Sequence, residues 1–229
     1  MAIVADLGEA VRAKLNDTGS QLYNDAVLLP HFQSAWMILQ SKMRSNGIPV
    51  TRDSGVVITI PAGGKGLSFA SIAPYPTLPP DLINIIEVHE KGPTEDDSFY
   101  VRMDDYTFLP DIPVGQNLRY YAWAEGRLEF LGATEDRMIR IRYLKYLQEI
   151  TSSNSNITVP GTEDFLIHKV GALAARYIGQ NATRANELEM EAVRARDDFM
   201  NTEAKGKQGD PVQRRPYGFT RRQYRWRTR

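Results

Sequence analysis

Nine of the thirteen prolines in this 229-residue chain fall between Pro49 and Pro113, and no other feature limits the fold as much. A proline inside a helix removes a backbone donor and clashes with the preceding turn, so long helices are excluded from that stretch. Short β-branched and aromatic runs alternate with turn residues instead: VVITI (56–60), LSFASI (67–72), LINIIEVHE (82–90), SFYVRMD (98–104), LRYYAWA (118–124), RLEFLGA (127–133) and RMIRIRYLKYL (137–147). Tight hairpins are expected at Pro61–Gly66, between the first two strands, and at Glu125-Gly126. In the last run Met138, Arg140 and Arg142 alternate with Ile139, Ile141 and Tyr143, the pattern of a strand apolar on one side. Residues 50–150 therefore read as an antiparallel β-domain.

Helical periodicity brackets this block. Val4, Leu7, Val11 and Leu15 repeat at helical spacing over 3–16, with Gly19 as the expected stop. Phe32, Trp36, Leu39 and Met43 form a second stripe with Ala35 and Ile38 on its flank. Pro30 is expected in that helix's first turn, and Asn46-Gly47 followed by Pro49 should end it. Ser152–Asn156 reads as a polar linker. Thr162 is then the expected N-cap of a third helix with acids in its first turn, carrying Leu166, Val170, Leu173 and Tyr177 as its stripe and small residues (Gly171, Ala172, Ala174, Ala175) for close contact. After a hinge at Gly179–Asn181, a fourth helix over 183–203 has a thin stripe of Leu188, Ala192, Ala195 and Phe199. The fold class is α+β: helices of 1–48 and 160–205 packed as a bundle, an antiparallel β-domain of 49–159 inserted between them, and an extended arm of 206–229.

A formal net charge of zero hides a division. From Gly206 to Arg229 eight bases face one acid, Asp210, whereas the other 205 residues hold 20 bases and 27 acids. Such asymmetry marks an interaction arm. The arm has Val212 as its sole aliphatic branch, so it cannot build a core. It interleaves Tyr217, Phe219, Tyr224 and Trp226 with Arg214, Arg215, Arg221, Arg222, Arg225 and Arg227. Arginine forks onto phosphates and carboxylates and stacks on aromatic rings. Two partners fit: an acidic protein surface on which the arm orders as it binds, or nucleic acid clamped by phosphate contact and base stacking.

Other chemistry finds little support. The chain has no cysteine, hence no thiol nucleophile or thiolate-held metal. Its apolar runs are too short for a bilayer, and the acidic start MAIVADLGEAVR does not suit a signal peptide. GGKG at 63–66 lacks the Lys-Ser/Thr and following helix of a phosphate loop. Asp96, Asp97, Asp104 and Asp105 lack the spacing of a calcium loop, and His31, His89 and His168 lie in separate elements. With no G-x-S-x-G elbow either, no catalytic residue, cofactor or metal is assigned.

Three stretches resemble the head-to-tail adaptor, or connector, proteins of tailed bacteriophages, the ring beneath the portal. LGEAVRAKLND with LLPHFQSAWMILQSKMRSNGIP is similar to that family's opening helix pair, and RLEFLGATEDRMIRIRYLKYL to its closing strands. VPGTEDFLIHKVGALAARYIG, a charged helix and the basic aromatic tail are similar to its C-terminal helices and docking arm. The resemblance implies a structural virion protein at the portal vertex, assembled from host cytoplasm. It implies twelve copies around the DNA channel, the portal and tail or nozzle proteins as partners, and DNA passing without sequence-specific contact. On this reading residues 214–227 dock on the portal, and Phe32, Trp36, Leu39, Met43, Leu166, Val170, Leu173, Tyr177, Leu188 and Phe199 pack helices or join subunits. The alternative is a nucleic-acid-binding protein that uses its basic tail.

Overall fold

The computed structural model describes residues 2–17, 19–70, 76–124 and 126–207. It is mixed α+β, with four helices, α1 (Val4–Lys14), α2 (Asp25–Ser45), α3 (Glu163–Tyr177) and α4 (Ala182–Lys207), and two four-stranded sheets. Sheet one runs β1 (Val56–Ile60), β8 (Arg137–Lys145), β3 (Leu82–Lys91), β4 (Val101–Arg102) in spatial order. Sheet two runs β2 (Gly66–Ser68), β7 (Arg127–Phe130), β6 (Tyr120–Ala124), β5 (Asp104–Tyr106). Every neighbouring pair is antiparallel except β5 with β6, which run parallel. The expected strand over 98–104 is broken: a 3-10 turn at Asp97–Phe99 precedes β4, and β5 crosses to the other sheet. Ser71 and Ile72 of the expected run 67–72 lie outside the described residues, as does Glu125.

Pro61–Gly66 is not a hairpin. β1 pairs with β8 in sheet one, while β2 pairs with β7 in sheet two. Between them Gly63 N–H donates to Ala133 O (2.8 Å), and Phe130 N–H to Lys65 O (2.9 Å). One long antiparallel ribbon, β1–β2 against β7–β8, thus folds over a corner and supplies a strand pair to each sheet. The corner needs glycine: a Cβ on Gly64 would lie 2.7 Å from Ile60 Cγ2 and 2.8 Å from Pro61 O. The Glu125-Gly126 reading fits, since Ala124 pairs with Arg127 across the turn and Gly126 sits at φ 74.

The inner faces of both sheets share one core, in which Val88, Ile139, Ile141 and Tyr143 of sheet one meet Leu67, Tyr121, Leu128 and Phe130 of sheet two. A polar clasp joins them as well. Buried Glu90 on β3 accepts the N–H groups of Leu118 and Arg119 (2.8 Å each), just ahead of β6, and the Nε–H of Arg137 (3.3 Å). Arg119 is held at φ 58, a left-handed geometry unusual for a side-chain-bearing residue.

The helices share a second core with Ile48 and the returning segment Leu147–Val159. α2 ends at Asn46 and Gly47 (φ 61), with Ile48 N–H bonded back to Met43 O and Gly47 N–H to Arg44 O, a Schellman closure. Its start lies earlier than Pro30 suggested: Asn24 caps it by accepting Val27 N–H at 3.0 Å, leaving Pro30 inside the helix. Ile38 is exposed rather than flanking the core. α1 ends at Lys14 with Leu15 as its C-cap, and Asn16 at φ 59 turns the chain away before Gly19 is reached. Thr162 precedes α3, but its hydroxyl donates to Val159 O (2.7 Å) instead of capping.

Ser152–Asn156 is more than a linker. α1 has no side-chain cap, and its free amides at Val4 and Ala5 donate to Ser155 O (3.1 Å) and Ser153 O (2.9 Å). α2 grips the neighbouring stretch with three side chains. Gln33 Nε2, Trp36 Nε1 and Gln40 Nε2 donate to the carbonyls of Ile150 (3.0 Å), Gln148 (2.9 Å) and Leu147 (3.4 Å). The sandwich therefore hangs from the helices by two adjacent segments, 48–55 and 145–150. Arg52 bridges Leu144 there, and Lys145 pairs with Asp53 at 3.3 Å.

Candidate interaction surfaces

The ten arm residues, Arg214, Arg215, Tyr217, Phe219, Arg221, Arg222, Tyr224, Arg225, Trp226 and Arg227, lie outside the described residues. Of the ten helical residues, Phe32, Trp36, Leu39, Met43, Leu166, Val170, Leu188 and Phe199 are buried within the chain. There they pack helix on helix. Gly171 lets α4 close on α3, because a Cβ on it would sit 3.2 Å from Leu188 Cδ1. Leu173 is half-buried, and Tyr177 is 68% exposed, its ring parallel to His31 at 6.4 Å.

Two apolar surfaces escape the periodicity argument. One is a groove of about 310 Å³ between α2 and the 146–150 segment, rimmed by Met37 and Tyr146, both exposed. Arg44 lies over the Tyr146 ring at 5.1 Å, and its Nη1 is buried without a hydrogen-bond partner. The other is the strap 107–114, TFLPDIPV, between β5 and β6, where Phe108, Ile112 and Val114 are exposed. The sequence signal for the strap was present: four apolar side chains around two prolines fit neither a helix nor a core strand. For the groove it was Met37, an apolar residue off the α2 stripe.

Charge concentrates on the outer face of sheet one. His89 pairs in register with Arg102 on one side and Arg140 on the other. Arg140 stacks on Tyr100 (3.9 Å) and pairs with Asp97 (3.4 Å), which also binds Lys91 at 2.8 Å. Lys91 holds the Asp97 carboxyl below its usual range, and so Asp97 serves an ion pair rather than a cation site. Burial pushes His89 down and the arginines around it add to that, against the opposing pull of Glu87. Burial likewise lowers His31 and His168, the latter opposed by Glu191, whose Oε2 is 2.7 Å from its Nδ1. Among the described residues no three His, Asp or Glu side chains converge as metal ligands, and no helix is long and apolar enough to cross a membrane.

No protein-family model matches the chain, and no curated protein matches it either.

Proposed function

We propose that this chain is the repeating subunit of a head-to-tail adaptor ring in a tailed bacteriophage, docked under the portal and offering the tail its platform. The observation that carries the reading is the separation of an acidic, core-bearing body from a coreless basic and aromatic arm. α4 supports it: among the described side chains of this helix the last buried one is Phe199, and the helical backbone continues to Lys207, ~12 Å further at 1.5 Å per residue. In sequence the arm follows directly on the C-terminal end of α4. In the ring, the four helices form the wall and residues 214–227 insert between portal subunits, ordering on contact. Twelve copies raise a modest arm affinity through effective concentration. An acidic wall suits DNA passage because it does not grip phosphates.

The test is sedimentation of the chain with its cognate portal, comparing full length with a truncation after Lys205. A saturable, ring-sized complex lost on truncation is expected. No complex with either form refutes the reading. Trp226→Ala or Tyr224→Ala should also abolish binding with every arginine kept.

The row Arg102–His89–Arg140 favours a second reading, nucleic-acid binding by the sheet face together with the arm. It predicts affinity falling by about 0.7–0.9 log units per log unit of salt for each phosphate contacted. Aromatic docking on a portal predicts a shallower slope.

A further inference from the structure

We infer that the strap 107–114 of one copy docks in the α2 groove of a neighbouring copy. The inference deepens the ring reading and rests on it.

The strap has no hydrogen-bonded strand or helix of its own, yet both ends are fixed. Before it, buried Met103 donates its N–H to Val88 O; after it, Leu118 is clasped by Glu90. Between these anchors Phe108 is 84% exposed, Val114 50% and Ile112 43%. Single exposed apolar residues are ordinary, but three within seven residues form a patch. Pro110 and Pro113 limit the backbone, so less freedom is lost when the strap docks. From Asp104 to Val114 there are three acids and no base.

The groove is the counterpart. It is apolar along Met37 and Tyr146 and cationic at Arg44. Glu149 lines it as well, but among the described residues no acid forms an ion pair with Arg44. An apolar trough with an unneutralised guanidinium selects an apolar segment bearing a carboxylate. The strap satisfies the requirement in order, with Asp111 three residues after Phe108 and next to Ile112. Strap and groove are different surfaces of one chain, so on the ring reading the contact runs head-to-tail from copy to copy. Such a contact repeats and closes into a ring when its rotation permits.

Because the chain has no cysteine, Phe108→Cys and Met37→Cys each create the sole thiol of a full-length chain, at exposed positions that leave the core intact. The two chains, one size-tagged, are mixed under oxidising conditions with and without portal, beside a Thr59→Cys control. The 108–37 product is expected to dominate over 108–108, 37–37 and control products. Asp111→Lys should cut its yield about tenfold, as for loss of a close interfacial charge pair, and Arg44→Glu in the partner chain should restore it. A random product distribution overturns the inference. If rings sediment normally while the distribution is random, the strap contact falls and the adaptor reading stands. If the chain stays monomeric even with portal and no product forms, both fall.

Discussion

Replacing Glu90 by Gln tests what holds the two sheets together. The glutamate carboxylate takes two main-chain amides at 2.8 Å and the guanidinium of Arg137, with both side chains about nine-tenths or more buried. A glutamine keeps one acceptor oxygen, so one of the two amides is orphaned, at about 1–3 kcal/mol. It also leaves Arg137 charged and unpaired, and breaking a buried pair costs about 3–5 kcal/mol. These contributions overlap, and about 5 kcal/mol is expected, comparable to the entire stability of many domains. Glu90→Gln with Arg137→Met removes the orphaned charge and should return about 2–3 kcal/mol of that loss. Urea denaturation followed by circular dichroism and fluorescence gives both numbers, with the slope checked for constancy. A single-variant loss below about 1 kcal/mol, or a double variant no more stable than the single, would refute the argument.

Three further outcomes follow from the same geometry. Trp36→Phe abandons the Gln148 carbonyl and vacates part of the buried indole site, and should cost at least about 1–2 kcal/mol of unfolding free energy, read from the shift of the denaturation midpoint at constant slope. Gly171→Val forces branched bulk against Leu188 and should cost about 1–3 kcal/mol; an unchanged melting curve would mean that α3 and α4 separate easily. All three histidines titrate below their ordinary 6.5 in the fold, so between the folded and unfolded values the unfolded chain binds more protons. Stability is then fully present above about pH 6.5 and declines as pH falls below it. His168→Gln should flatten that decline, read as melting temperature against pH.

Periodicity carried the helices well, because an apolar stripe at 3.6-residue spacing fixes both the element and its buried face. Phe32, Trp36, Leu39 and Met43 are all buried on α2. The same logic misplaced Ile38, since a flank position is buried only if a neighbour covers it. The strand VVITI matched β1 to the residue, but its partner could not be read locally. A Gly-Pro run says that the chain turns, not whether it returns along itself or bends into a second sheet. Only the facing corner at residues 131–136 decides that, seventy residues away. Ser152–Asn156 looked like a spacer because its role lies in main-chain carbonyls, which leave no mark on side-chain chemistry. The α2 groove was hidden for a related reason: Arg44, Tyr146 and Ile150 meet only when the chain returns from the sheets. Strap 107–114 was visible as apolar residues without a period, a pattern that packing does not explain.

The narrow neck between helices and sheets has an evolutionary reading. Residues 52 and 144 are bridge partners, so the backbone leaves the helical layer and comes back at almost the same point. Whatever lies between them is a free variable for the helices. Homologous chains could lengthen, shrink or replace the sandwich while keeping α1 to α4 and the Gln33–Trp36–Gln40 grip unchanged. Kinship for such a chain would then be sought in the helices and the neck, with the sandwich recording adaptation to whatever it touches.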